Sequence, residues 1–144
     1  PLGSSRSNPA PVGAEVTIED MTMRVVEVIR PANAIVAAGN MLNPTPEPGN
    51  EYIMVTISAV CNKSSDATCH LSSDLDFQLV GSSGSIRNPE IMVVGVTGLL
   101  GSVEFFGGST VTGAIIFEVA QGETDLVLIY KPFLGTSVAY LAVE

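Results

Sequence analysis

The residues best suited to chemistry lie in one short polar stretch of the sequence. Cys61 and Cys69 flank it, and His70, the only histidine, follows directly. A disulfide would close a short loop and stabilise the fold by about 2.6 kcal/mol through the entropy of the unfolded chain. The alternatives are two reduced thiols without a role and a zinc site that includes His70, although the cysteines are spaced more widely than in common zinc motifs. The disulfide is the favoured interpretation and indicates an oxidising compartment.

Asp74 and Asp76 are the candidates for a metal site. On a strand, residues two apart lie on the same face, so both carboxylates would point the same way. Carboxylate oxygens suit calcium, but no calcium-binding loop motif surrounds these two residues. We therefore predict solvated surface carboxylates and no metal site, and we keep Asp74 and Asp76 as the residues that a hard cation would use.

Methionines provide a second, softer set of ligands. Met21 and Met23 would share one face of a strand, and with His70 or Met41 their thioethers could hold Cu(I). Methionine also fills irregular gaps in protein cores, and this is the simpler interpretation.

Catalytic motifs are not evident in the sequence. Any triad would need His70, which lies in a predicted polar loop. The glycines and serines at 81–84 occupy a predicted hairpin turn and not the strand-to-helix turn of a nucleophile elbow. The glycines at 95–101 do not have the spacing of a dinucleotide-binding loop. We predict no catalytic residue and no cofactor.

Alternation of apolar and polar residues predicts strands and no long helix. Residues 32–41, between prolines, are predicted to form a long loop. Short strands separated by glycine and proline turns favour an all-β antiparallel sandwich. The predicted strands are 15–19, 21–30, 51–60, 77–80, 91–96, 110–119, 125–131 and 138–143.

The composition limits the function further. The chain has 144 residues, 46% of them apolar and 15% charged, with a formal net charge of −9. This charge repels phosphate backbones, so we predict no nucleic-acid partner. No apolar run reaches the roughly 20 residues of a transmembrane helix, so no direct membrane span is expected. The first four residues look like the remnant of an expression tag. We therefore assign 1–12 to a tag remnant and flexible linker and 13–144 to one domain. A signal peptide or a lipid anchor upstream of these residues in the native protein would agree with this assignment.

Five stretches carry a resemblance to a known family. They are 48–55, 72–84, 104–109, 113–119 and 125–132, in that order and at fitting distances. The sequence resembles a telokin-like, immunoglobulin-fold domain of unknown function found in secreted bacterial proteins and lipoproteins, and is similar to the mycobacterial immunoprotective extracellular antigen group. The resemblance implies an immunoglobulin-like β-sandwich of about seven to nine strands, exported or anchored to the envelope, without catalytic residues.

These observations favour an exported, non-enzymatic binding or interaction module whose partner is a protein or another cell-surface component. A small-ligand or metal-ion carrier that uses Asp74 and Asp76 or the methionine and histidine set is one alternative. A structural spacer within a longer protein is the other. Binding in sandwich domains usually resides in the end loops, here 35–50, 62–73 and 90–102.

Overall fold

The computed structural model describes residues 1–144 and consists of short strands with two small helices. All named strand pairs are antiparallel. The elements are β1 (Val16–Ile18), β2 (Met21–Ile29), α1 (Asn33–Gly39), β3 (Asn50–Cys61), β4 (Thr68–Ser72), α2 (Ser73–Asp76), β5 (Phe77–Val80), β6 (Ile86–Arg87), β7 (Ser102–Phe106), β8 (Thr110–Ala120), β9 (Val127–Tyr130) and β10 (Ala139–Ala142).

Two layers of strands form a sandwich. One layer has the order β1-β2-β3-β8, and the other contains β10-β9-β5-β6 and the separate pair β4-β7. The predicted immunoglobulin-like all-β sandwich is confirmed. The strand count exceeds the expected seven to nine by one.

The main core lies between the layers because β3 and β8 alternate apolar residues toward it. Ile53, Val55 and Ile57 of β3 pack there with Phe77 and Leu128 of the opposite layer. Alternate positions of the same strands carry a second, smaller cluster on the outer face of the sheet. Helix α1 and the chain at 89–101 cover this outer face. These two segments also position the candidate binding surface.

The structure differs from the predictions at several places, among them β6 and β7, which were not predicted as strands. Residues 91–96, predicted as a strand, form an irregular loop. Residues 32–41, predicted as a long loop, contain α1, because Val36 packs into the outer cluster and the Asn33 side chain accepts a hydrogen bond from the Tyr52 amide (2.8 Å). Tertiary packing overrides weak helix propensity there. Residues 68–72, predicted as part of a loop, form β4.

The N-terminal segment, predicted as a flexible linker, contacts the sandwich at Gly3, whose carbonyl accepts from the Tyr140 amide (2.9 Å), and again at Ala10. This residue is fully buried. Its amide donates to Tyr140 O (2.9 Å), and its carbonyl accepts from the Ala142 amide (2.8 Å). Ala10 therefore extends the sheet beyond β10.

Neither helix has the length or apolar character needed to cross a bilayer.

Candidate binding surface

Cys61 and Cys69 are joined by a disulfide, which was the favoured interpretation of their spacing. Cys61 ends β3 and Cys69 lies in β4, and both are buried. The enclosed segment, residues 62–68, is called the disulfide loop below. Its backbone packs so closely on Gly107 that a side chain there would collide with the carbonyls of Lys63 and Ser64. Since both sulfurs are oxidised, no thiolate is available for zinc.

His70 lies on β4 and not in a loop, which corrects the prediction. It faces Glu104 across the β4–β7 pair and is exposed. Its Nε2 lies 2.9 Å from Ser102 Oγ. No carboxylate forms a hydrogen bond with the ring, so the orienting third member of a triad is missing.

Asp74 and Asp76 occupy the one-turn helix α2, so the expectation that they share a strand face is wrong. Asp74 is exposed, whereas Asp76 is buried. The Asp76 carboxylate accepts hydrogen bonds from the amides of Ser72 (2.7 Å) and Phe133 (2.9 Å). Asp76 therefore fastens the turn after β9 to α2. No three histidine, cysteine, aspartate or glutamate side chains gather around a common point in the structure.

The structure places Met41 apart from Met21 and Met23, although Met21 and His70 line one small cavity. Met21 and Met23 belong to the main core, while Met41 is almost fully exposed. Met21 pairs with Cys61 at the end of β3, whereas Met41 lies near the beginning of that strand, since Tyr52 Oη bonds to Pro44 O (2.8 Å). Positions 52 and 61 are roughly 30 Å apart along a strand at about 3.4 Å per residue.

A protruding loop is the most unusual feature of the outer face. The Glu90 amide donates to Ile116 O (2.8 Å), and Gly98 O accepts from the Ala114 amide (2.8 Å). These anchors on β8 are only two residues apart, about 7 Å along a strand. The intervening residues, 91–97, therefore leave the edge of the sheet as a loop, and Val93 of this loop packs into the outer cluster. We call them the protruding loop.

Two glycines allow this loop to pack against α1. Gly95 has a φ of 77°, a left-handed conformation that favours glycine. A side chain at Gly95 would collide with the Gly39 carbonyl, and one at Gly39 would approach Val94 O at 3.0 Å. The contact therefore requires glycine at position 95, whereas a side chain at position 39 would make Val94 O move by a few tenths of an ångström.

Asn43 ties a second loop to the protruding loop. Its Nδ2 donates to Val36 O (2.8 Å) and to Val94 O (2.8 Å). Its Oδ1 accepts from the Val94 amide (2.9 Å). One side chain thus joins helix α1, the segment that follows it and the protruding loop.

These ties display apolar side chains to solvent. Met41 is 93% exposed, Leu42 86%, Ile91 67%, Met92 69% and Val94 52%. We call these five residues the loop surface. They belong to two of the three loops in which binding was expected, which the fold brings together at a distance from the disulfide loop.

The surroundings of the loop surface are acidic. Glu118 Oε2 accepts hydrogen bonds from the Glu47 amide (3.0 Å) and from Asn50 Nδ2 (2.8 Å). Burial, followed by the charge of Glu118, raises the pKa of Glu90, and both carboxylates together with burial raise the pKa of Tyr52. Both ion pairs in the protein involve Arg30, so neither Glu90 nor Glu118 has a cation partner.

A small cavity adjoins the loop surface. Its volume is about 180 Å³, and its lining includes Asp74, Glu90, Ile91, Val93 and Leu99. Cavities for drug-sized ligands usually measure about 300–1,000 Å³. A larger cavity of about 550 Å³ lies beside the N-terminal segment and has a mostly polar lining that includes Arg6 and Glu144.

Sequence reasoning did not identify the residues that build this surface. Asn43 lies in a proline-rich loop, and nothing local indicates that it bonds to a segment fifty positions away. Residues 91–96 were predicted as a strand, although 90–102 were also named among the loops in which binding was expected. Gly95 and Gly98 within that segment argue for a loop instead.

The sequence pattern of the family described as "Domain of unknown function (DUF4352)" matches residues 10–139. The chain belongs to the DUF4352 family. A comparison with curated proteins finds no match.

Three solved structures are similar to this DUF4352 domain. The yjhA protein from Bacillus subtilis has a TM-score of 0.67 at 12% identity, covering 93% of this chain and 98% of that one. A putative lipoprotein, ycdA, from Bacillus subtilis has a TM-score of 0.68 at 12% identity, covering 90% and 38%. The secreted protein MPT63 from Mycobacterium tuberculosis has a TM-score of 0.62 at 13% identity, covering 92% and 95%. At these identities the likeness establishes the fold.

Proposed function

We propose that this chain is a non-enzymatic protein-binding module of an exported protein and that the loop surface is its docking site. The observation that carries the proposal is the display of five exposed apolar side chains on two loops fixed to each other by Asn43. Exposed apolar patches commonly mark protein interfaces. A surface that is already ordered loses less conformational entropy on binding.

The types of residue on the surface suit a protein partner. Met41 and Met92 are unbranched and adapt to irregular contacts, as methionines do at many binding surfaces. The acidic side chains around them favour a partner with basic residues beside an apolar segment, because opposite charges accelerate encounter and fix its orientation.

Export is supported by the disulfide. Disulfides persist in oxidising compartments and are rare in the cytosol. A location outside the cell or at its envelope also agrees with the fold's occurrence in a protein described as secreted and in a putative lipoprotein. A cell-surface protein is the partner that this location favours.

A binding role without catalysis agrees with the state of the only histidine. The His70 ring bonds to Ser102 on an exposed strand pair and has no carboxylate partner. The buried carboxylate of Asp76 accepts two backbone hydrogen bonds and is occupied in holding a turn.

Affinity capture with matched variants tests the proposal. Ile91→Ser/Met92→Ser removes two exposed apolar groups without opening the core. Leu134→Ser is the control, since Leu134 is also exposed (91%) but lies after β9. Envelope and culture-medium proteins of the source organism are presented to the three immobilised proteins, and a partner retained by the wild type is then purified.

We expect the purified partner to bind the double variant at least about tenfold more weakly, since each buried apolar side chain contributes about 1.5–3 kcal/mol when fully covered. Leu134→Ser should bind as the wild type does. Equal affinity of the double variant and the control would reject the loop surface as the docking site and favour the spacer role.

A further inference from the structure

We infer that the small cavity beside the loop surface receives a lysine side chain of the docked partner. This inference rests on the proposed function and names the chemistry of the group recognised. It follows from the cavity's position, size and lining.

The position of the cavity links it to the docking site. It lies between α2 and the start of the protruding loop and is lined by Asp74 on one side and by Glu90 and Ile91 on the other. Ile91 belongs to both the cavity and the loop surface. A partner that covers the exposed side of Ile91 would therefore also lie over the cavity.

The size and the walls of the cavity select an extended side chain. Six of its eleven lining residues are hydrophobic, among them Val93, Leu99 and Ile116. A volume of about 180 Å³ is small for a cofactor or drug-sized ligand but suits one aliphatic chain. Lysine buries its methylene stem on apolar surface and keeps its charged end at a polar group.

The charge at the cavity calls for a cation. Burial and the Glu118 carboxylate raise the pKa of Glu90, and no hydrogen-bond donor or cation opposes them. None of the six lysine and arginine residues lines the cavity. An incoming ammonium group would pair with Glu90 and relieve its repulsion with Glu118. Lysine fits this site better than arginine because its charge is compact and its donors rotate freely.

Titration with n-butylammonium, which reproduces the lysine side chain from Cβ to Nζ, tests the inference. Backbone amide NMR shifts of Ile91, Val93 and Leu99 report on binding. n-Butanol is the uncharged probe of the same length. Glu90→Gln tests the carboxylate, and Asp66→Asn, in the exposed disulfide loop, controls for a change in net charge.

We expect n-butylammonium to shift these amides saturably and to bind about tenfold more tightly than n-butanol, the factor that one charge-assisted hydrogen bond contributes. Glu90→Gln should abolish the difference, and Asp66→Asn should preserve it. Equal binding of the two probes, or an unchanged preference in Glu90→Gln, would overturn the inference.

The outcomes separate this inference from the docking proposal. If partner binding requires Ile91 and Met92 but n-butylammonium does not bind in the cavity, the docking proposal is supported and the lysine site is refuted. If the cavity prefers n-butylammonium but the partner binds the Ile91→Ser/Met92→Ser variant normally, docking is refuted, and with it the assignment of the amine to the partner.

Discussion

The disulfide loop follows the end of β3, whereas the protruding loop is anchored to β8 beside the middle of β3, and the two loops are held in place by different means. The disulfide loop is closed by a covalent bond, and its residues 62–66 are polar and exposed. The protruding loop has no covalent tie, and its exposed residues include Ile91, Met92 and Val94. Two hydrogen bonds between the Asn43 side chain and the Val94 backbone, and one contact between Gly95 and Gly39, hold it.

The difference shows that the two loops are fixed by interactions that suit their polarity. A polar loop is solvated by water in any conformation, so a covalent closure serves the stability of the whole fold. An apolar loop would collapse onto the nearest apolar surface if it were free. The bonds of Asn43 keep the side chains of the protruding loop outward, and this argues that the exposure has a use.

Removing the disulfide should give the largest effect of any change to the two loops. In Cys61→Ala/Cys69→Ala, we expect a loss of about 2.6 kcal/mol in the free energy of unfolding, because the unfolded chain regains its loop entropy. The corresponding fall in Tm is roughly 5–10 °C for a domain of this size. Denaturant unfolding and calorimetry measure both quantities.

The same variant sharpens the comparison between the loops. The n-butylammonium response and the partner affinity should be unchanged, because the protruding loop shares no contact with the disulfide. Loss of both, in a protein that is still folded, would show that the two loops are coupled and that the disulfide loop belongs to the site.

The glycine contact between α1 and the protruding loop can be broken with a matched pair of variants. Gly95→Ala places a methyl group against the Gly39 carbonyl, whereas Gly98→Ala meets nothing within 4 Å. Both glycines have a positive φ, 77° and 81°, so both variants carry the left-handed strain of about 1–2 kcal/mol. The excess in Gly95→Ala, which we expect to be about 1 kcal/mol or more, isolates the collision.

Hydrogen exchange locates the consequence of that collision. Gly95→Ala should raise the exchange rate of the Val94 amide, while Gly98→Ala should leave it protected. Equal unfolding free energies for the two variants would show that the protruding loop moves aside without resistance, and a rigid display could not then be maintained.

Asn43→Ala should have a smaller global effect and a clear local one. It removes three hydrogen bonds. Because two of them join only the protruding loop, we expect a loss of about 1–2 kcal/mol in the free energy of unfolding. Asn40→Ala, which loses one bond to the Leu42 amide, is the control. Exchange of the Val94 amide and partner affinity should change in Asn43→Ala alone. An unchanged Val94 exchange rate would contradict the role given to Asn43.

The fold was more accessible to sequence reasoning than the surface it carries. Strands such as β3 and β8 were predictable because one face of each is buried, and burial imposes an alternation that can be counted. The protruding loop was misassigned because its apolar residues do not alternate between buried and exposed: Val93 is buried, while Ile91, Met92 and Val94 are exposed. β4 was missed because its polar residues hide the buried Cys69 and Leu71.

The candidate surface depends on long-range contacts that leave no local trace. About fifty residues of sequence separate Asn43 from Val94, and a similar number separate Gly39 from Gly95. The disulfide was predictable because Cys61 and Cys69 flank one short polar segment, where a covalent closure is the simplest use of two cysteines. An asparagine in a proline-rich loop can form hydrogen bonds with many groups, and only the folded structure determines that Asn43 bonds to Val36 and Val94.

The smallest effect concerns pH, and it contrasts the carboxylate at the base of the protruding loop with a buried one elsewhere. The pKa of Glu90 is raised above its ordinary value of 4.5 by burial and by Glu118. The hydrogen bond from the Ser83 amide lowers the pKa of Glu123 below the same value, against the effect of burial. The two groups therefore contribute to stability with opposite signs.

For Glu90, the folded protein binds more protons than the unfolded chain between pH 4.5 and the raised pKa, so its contribution to stability is lost as pH rises through that window. Glu123 contributes above pH 4.5, and this contribution is lost as pH falls toward its lowered pKa. Relative to the wild type, Glu90→Gln should therefore gain in Tm from pH 4 to pH 7, while Glu123→Gln should lose. A series of melting curves at constant ionic strength measures both. Parallel profiles for Glu90→Gln and the wild type would mean that the carboxylate is well solvated, and the cavity would then have no unpaired charge with which to attract a lysine.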